Sequence, residues 1–139
     1  MEKVGARRRA RELALQMLFQ SEFAPPSATS EMLKRFEEEF DVPKDVVEYA
    51  DVLVQGIFLH RDKIDEAIQA SSSHWKIARM ALVDLNVMRI ALFEIKFSAS
   101  PLPPKVAINE AVEIARHYGS TDSGSFVNGI LDQAAKGLM

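Results

Sequence analysis

The chain contains no cysteine. That absence excludes disulfides, thiolate zinc sites and a thiol nucleophile, and it suits a reducing compartment. No apolar run approaches the ~20 residues of a membrane-spanning helix. The charged start lacks the ~7–15-residue apolar stretch of a secretory signal. The expectation is a soluble, cytoplasmic protein with no membrane partner. Catalytic patterns are missing as well. His60, His74 and His117 stand apart, with neither HExxH nor any other metal-ligand spacing. No GxSxG elbow occurs. Gly119-Ser120-Thr121-Asp122-Ser123-Gly124 has the composition of a phosphate loop, but it lacks the GK[ST] ending and no strand precedes it. A glycine helix stop followed by Asp122 or Ser123 as N-cap accounts for it better. No cofactor or metal is expected, and nothing favours an enzyme.

What is present is a chain of 139 residues, 47% hydrophobic and 27% charged. These values fit one globular domain, residues 1–139, with a sizeable core. The net charge of −3 is unevenly spread. Lys3, Arg7, Arg8, Arg9 and Arg11 against Glu2 give the first eleven residues +4, which leaves −7 on the rest. Residues 31–51 hold eight acids and three bases. A small basic end on an acidic body suggests a directed anion site rather than a general nucleic-acid coat.

That basic end begins a helix. Ala10, Leu13, Ala14, Met17 and Leu18 follow the spacing of a core-facing stripe, so the helix should run from about Ala6 to Glu22. Its head carries four arginines in five positions. A helix N-terminus already bears about half a positive charge and unpaired N–H groups, so stability alone favours Asp or Glu there. The arginines make sense if a phosphate arrives to meet guanidinium forks, N–H groups and dipole together. A solvated basic start is the alternative.

The remaining elements are helical. Ala24-Pro25-Pro26-Ser27 ends the first helix. A second runs from about Ser30 to Phe40, with Met32, Leu33, Phe36 and Phe40 on one face and Glu37, Glu38 and Glu39 as a solvated turn. After Asp41-Val42-Pro43, residues 45–71 read as one long helix or two abutting ones. Gly56 there marks a close approach of backbones or a bend. Residues 81–97 are apolar nearly all round, as befits the middle of a bundle. Arg89 and Glu94 inside that segment need polar partners if buried, and they read as structural contacts. Ser98–Pro104, with three prolines, is a connector. Helices over 105–118 and 123–138 follow. The fold class is all-α, with about six or seven helices and short connections.

In the last helix Phe126 lies beside the core stripe, near the N-terminus, and Asn128 lies farther round. In the first helix Gln16 and Phe19 sit at or off the stripe edge. An aromatic at such a place is either core edge or a stacking platform for a base. If the two helices pack together, charge for phosphates and aromatics for bases would form one single-stranded RNA site.

The stretch Arg7-Arg8-Arg9-Ala10-Arg11-Glu12-Leu13-Ala14-Leu15-Gln16 resembles the start of the NusB family of bacterial transcription antitermination factors. Val106 to Ala115, Tyr118-Gly119, Asp122-Ser123 and Phe126-Val127-Asn128-Gly129-Ile130-Leu131-Asp132 match that family's C-terminal signature in order and spacing. Trp75, Arg79, Asp84, Arg89 and Glu94 fit its central block. The resemblance covers essentially the whole chain. It implies two small helical bundles sharing a core. It also implies binding of the boxA element in nascent ribosomal RNA leaders, pairing with the ribosomal protein NusE, and action within an RNA polymerase antitermination complex. The positions it points to for RNA are Lys3, Arg7, Arg8, Arg9, Arg11, Gln16, Phe19, Asp122, Ser123, Phe126 and Asn128. Asn109 and Glu110 are read as helix-packing residues. The acidic body reads as docking surface for a basic ribosomal protein or as solvated helix faces. Two positions depart from the family pattern. Ser125 stands where many members carry a basic residue before the FVNG motif, which would weaken a phosphate contact. Leu85 follows Asp84 where many have a base, which affects the partner surface. A homodimer covering the arginine head would serve as an off state.

Two other classes remain open at this stage. One is the RNA-binding accessory domain of an rRNA methyltransferase, although the chain reaches Met139 without a cofactor-binding domain. The other is a helical protein-interaction module without RNA binding.

Overall fold

The computed structural model describes residues 5–24 and 28–138. Among these there are helices and connectors but no strand. The chain divides into two compact units, Met1–Gln55 and Gly56–Met139.

The first unit contains α1 (Ala6–Ser21), α2 (Ala28–Phe40) and the beginning of α3 (Lys44–Ala70). α1 buries Ala10, Leu13, Ala14, Met17 and Leu18, the expected stripe, and adds Arg11 and Leu15 to it. It packs against α2, where Leu33 is buried and Met32 half-buried, while Glu38 and Glu39 are exposed and Glu37 is partly covered. The break expected at Pro25-Pro26-Ser27 lies outside the described residues. α2 ends at Asp41, whose φ of 49° is left-handed. Asp tolerates that region better than most side chains, and Pro43 then opens α3 by accepting from the N–H groups of Val46 and Val47.

The second unit contains the remainder of α3, a 3-10 turn (Ile77–Arg79), α4 (Leu82–Leu92), a π turn (Phe93–Phe97), α5 (Pro104–Tyr118) and α6 (Ser123–Leu138). Neither reading of Gly56 holds here. α3 bends at His60 (φ −106°, ψ 15°), not at Gly56. Gly56 instead admits a side chain rather than a second backbone, because a Cβ there would run into the Phe93 ring. His60 stacks on Phe97, with centroids 4.5 Å apart and planes at 18°.

α4 packs on both α5 and α6, and every residue from Asp84 to Leu92 is buried. This is the central helix that its all-round apolarity implies. The expected single helix over 81–97 instead widens after Leu92. The Ser98 N–H reaches back five residues to the Phe93 carbonyl (2.9 Å), and the Leu102 N–H takes the Glu94 carbonyl (2.9 Å). A π turn leaves a carbonyl that the proline connector can then satisfy.

Arg89, buried in the middle of α4, finds its partners within this unit. Its Nε and Nη2 donate to the two carboxylate oxygens of Asp65 (2.8 and 2.9 Å), and Nη1 donates to Asn86 Oδ1 (2.9 Å). The fork is the planar bidentate geometry that favours arginine over lysine. Arg89 is thus the structural contact its position suggests.

α5 starts at Pro104, where a missing N–H costs nothing. It packs on both α4 and α6 and buries the small residues Ala107, Ala111 and Ala115, while α6 buries Val127, Leu131 and Ala134. Ile114 joins the buried face of α5, while Val112 is half-buried.

Candidate nucleic-acid interface

In the first unit the head of α1 has no acid in its first turn and no side-chain N-cap. By helix geometry its first N–H groups lack intrahelical acceptors. Arg7 and Arg9 are exposed, and Arg8 is half-buried. Arg7 is oriented by Tyr49 of α3, its guanidinium carbon lying 3.7 Å from the ring centroid. That is within cation–π range. Helical spacing aligns Arg9, Gln16 and Phe19 with Glu12 along one solvent-facing side of α1. Phe19 is 41% exposed and pairs with Phe23, 75% exposed, at 5.7 Å between centroids.

Arg11 departs from the expectation of a phosphate contact. It is 6% exposed, because it lies one turn beyond Arg7 and one turn before Leu15 on the buried side of the helix. Run-length in sequence suggested a single cationic cluster; the 3.6-residue period removes one member from it. Lys3 lies outside the described residues.

In the second unit the turn before α6 is tightly built. Gly119 stops α5 with its N–H on the Ala115 carbonyl (2.8 Å). Its φ of −100° is not left-handed, so glycine is required there for space: a Cβ would sit 2.7 Å from Ser123 Cβ and 2.8 Å from the Ala115 carbonyl. Ser123 was also expected among the RNA contacts. Instead it is buried, and its Oγ accepts the Ser120 N–H (2.9 Å). Its hydroxyl is engaged in closing the turn. Asp122 is exposed at the cap position, and its carbonyl accepts the Phe126 N–H (3.0 Å) and the Ser125 hydroxyl (3.3 Å).

Phe126 and Asn128 do not share a side of α6. Two positions apart on a helix is roughly 160°, and the structure places them at opposite edges of the exposed face. Asn128 joins Gly124, Ser125 and Thr121 in an open groove of about 600 Å³ whose other wall is Asn109, Val112, Glu113 and Arg116 of α5. Arg116 Nη1 is 3.1 Å from Glu113 Oε1, and its stem lies against Gly124, where a Cβ would approach Arg116 Cγ to 2.9 Å. Phe126 is half-buried on the far edge, and Trp75 meets it edge-on at 6.1 Å.

Sequence reasoning missed two groove residues. Asn109 is exposed in the groove wall rather than packed between helices. Arg116 lies in the same wall, and the spacing of 109, 113 and 116 along one side of α5 was the available signal. Of the two departures from the family pattern, Ser125 is exposed on the groove, whereas Leu85 is buried. Leu85 therefore belongs to the packing of α4 and not to a partner surface.

The model of the NusB family matches residues 8–136. The chain belongs to the NusB family. It is 54% identical over 134 residues to the transcription antitermination protein NusB of Bdellovibrio bacteriovorus, covering 96% of this chain and 98% of that one. It is 48% identical to the NusB of Trichlorobacter lovleyi, covering 94% and 90%. Among solved structures, T. maritima NusB matches with a TM-score of 0.80 at 36% identity, covering 98% of this chain and 93% of that one. A complex of the antitermination factors NusB and NusE with dsRNA contains a chain matching with a TM-score of 0.79 at 28% identity, covering 95% and 97%. The all-α class is thus that of NusB structures. No helix among the described residues is long and apolar enough to cross a membrane.

Proposed function

We propose that this NusB-family chain acts in transcription antitermination as a non-enzymatic, cytoplasmic RNA-binding factor. In this reading it binds single-stranded boxA-type RNA, pairs with NusE, and joins an RNA polymerase antitermination complex with residues 1–139 working as one functional domain. The observation that carries the reading is the head of α1. Exposed Arg7 and Arg9, with Arg8 beside them, crown a helix start that has no acid in its first turn. Such a start is unfavourable alone and favourable once phosphate oxygens occupy it. Arg7, Arg8 and Arg9, with Lys3 preceding them, position the backbone. Gln16, Phe19, Phe126 and Asn128 contact bases, consistent with RNA readers that stack splayed bases and hydrogen-bond their edges. Asp122 sets the turn that presents Phe126. Arg11 lies buried under the head of α1, and Ser123 closes the turn before α6.

The test is fluorescence-anisotropy titration with a boxA-type RNA and a scrambled control, over a range of salt, with and without NusE. Three to four phosphate contacts predict a log–log salt slope of about −2 to −3. Preference for boxA and tightening by NusE are expected. Equal binding to the scramble with NusE present would overturn the reading.

The dsRNA in the NusB–NusE complex favours a second reading, duplex recognition through backbone and 2′-hydroxyl contacts. A duplex competitor distinguishes the two. Single-strand readout predicts that annealing the boxA-type strand to its complement weakens binding.

A further inference from the structure

The strongest feature outside the proposed contact set is Trp75, in the connector between α3 and α4. Its backbone is held rigidly. The Trp75 carbonyl accepts from both Gln69 Nε2 (2.9 Å) and the Ser72 hydroxyl (3.0 Å). Its N–H donates to the Ser72 carbonyl (3.2 Å), and Gln69 Oε1 accepts the Ile77 N–H (3.1 Å). Ser72, which anchors this loop, is itself buried. A loop fixed by so many hydrogen bonds nevertheless leaves its one large side chain 52% exposed. The indole meets Phe126 with centroids 6.1 Å apart and planes at 90°. Perpendicular rings leave the face of at least one uncovered by the other.

The connector that carries Trp75 has charge of one sign, with Asp122 lying one turn before Phe126 on α6. Residues 71–83 contain no Asp or Glu in a chain with twenty such acids, yet they hold His74, Lys76 and Arg79. All three are exposed. A rigid aromatic face flanked by cations fits a ligand that is planar and anionic. A ligand that is both planar and anionic uses the indole and the exposed Lys76 and Arg79 together, whereas a purely apolar or purely acidic side chain uses only one of them.

We propose that Trp75 and Phe126 form a two-ring platform on which an unpaired RNA base stacks, with Lys76 and Arg79 taking the adjoining phosphates. This rests on the RNA-binding reading above and extends its site to a segment that supplies none of the contacts assigned there. Rigid presentation matters because the ring is already ordered before the base arrives, so little freedom is lost on binding.

Trp75 is the only tryptophan, so its emission reports directly on the platform. The full chain, with NusE bound, is titrated with 5′-labelled boxA-type RNA while label anisotropy is followed. A parallel titration with unlabelled RNA follows the emission change on binding, corrected for NusE. Stacking predicts quenching with the same midpoint as the anisotropy. Trp75→Ala should weaken binding about 5- to 150-fold, the range for one stacked base, and Trp75→Phe should recover most of the loss. An abasic nucleotide moved along the oligomer should abolish quenching at one position. Quenching in the native protein tests the proposal even if Trp75→Ala folds poorly. Tight RNA binding with unchanged emission and an unaffected Trp75→Ala variant overturns the platform and leaves the RNA reading intact. No RNA binding by the native chain with NusE overturns the RNA reading and the platform with it. If Trp75→Ala loses NusE affinity in the absence of RNA but keeps RNA affinity, the surface is a protein contact and the platform is overturned.

Discussion

Neighbouring arginines in the head of α1 have opposite expected effects, because one helical turn separates surface from core. Arg9→Ala should leave the melting temperature unchanged, weaken RNA binding and make the salt slope shallower by about 0.7, the value for one single-strand phosphate contact. Arg11→Ala should lower the melting temperature, since it empties a buried position. Thermal melts and salt titrations of the two variants check both outcomes, and an Arg11 variant with native stability and a shallower slope would return Arg11 to the RNA surface. The Asp65–Arg89 fork is the other decisive single contact. Removing one partner of a fully buried pair costs about 3–5 kcal/mol. The Asp65 side chain is 23% exposed, so water compensates in part, and Asp65→Ala should cost about 2–3 kcal/mol. Urea unfolding measures it.

At the scale of elements, the join between α5 and α6 depends on a missing side chain. Gly119→Ala forces a Cβ against Ser123 and the Ala115 carbonyl, one contact being backbone that cannot swing away. A loss of about 1–3 kcal/mol is expected, as for overpacked sites, together with altered amide signals at Ser120 and Ser123 if followed by NMR. An unchanged unfolding midpoint would mean the turn relaxes freely. The helices themselves were legible because each rests on neighbours three or four positions away: the stripe of α1, the all-round apolarity of α4, Pro104 at the start of α5. The π turn was not. Phe93–Phe97 carries no glycine or proline to mark a break after α4, and the Glu94 carbonyl is taken by the Leu102 N–H from within the proline connector.

For the whole molecule, the basic head and the acidic remainder make association sensitive to ionic strength. A homodimer that covers the head predicts that RNA shifts sedimentation of the free protein toward the monomer. A monomer at every concentration would remove that off state. The NusE contact carries a further expectation: with a basic partner, reversing Glu38 and Glu39 on exposed α2 to lysine should slow NusE association most strongly at low salt, if those faces dock it. Stopped-flow association across salt checks this, and an unchanged rate assigns them to solvent.

By itself the sequence determined the class, the helix spans to within a few residues, the core stripes and the family, since these depend on short-range periodicity, caps and ordered motifs. It also marked the arginine head, because charge opposed to a helix dipole is visible in the chain alone. Tertiary structure decided which arginine faces inward, that Asn109 and Arg116 wall a groove, that Arg89 pairs with Asp65, and that Trp75 meets Phe126. Each of these joins residues from different elements or turns on which side of a helix packs. Such contacts are completed by the docking of helices: periodicity in the chain marks which residues share a side, but not what that side meets.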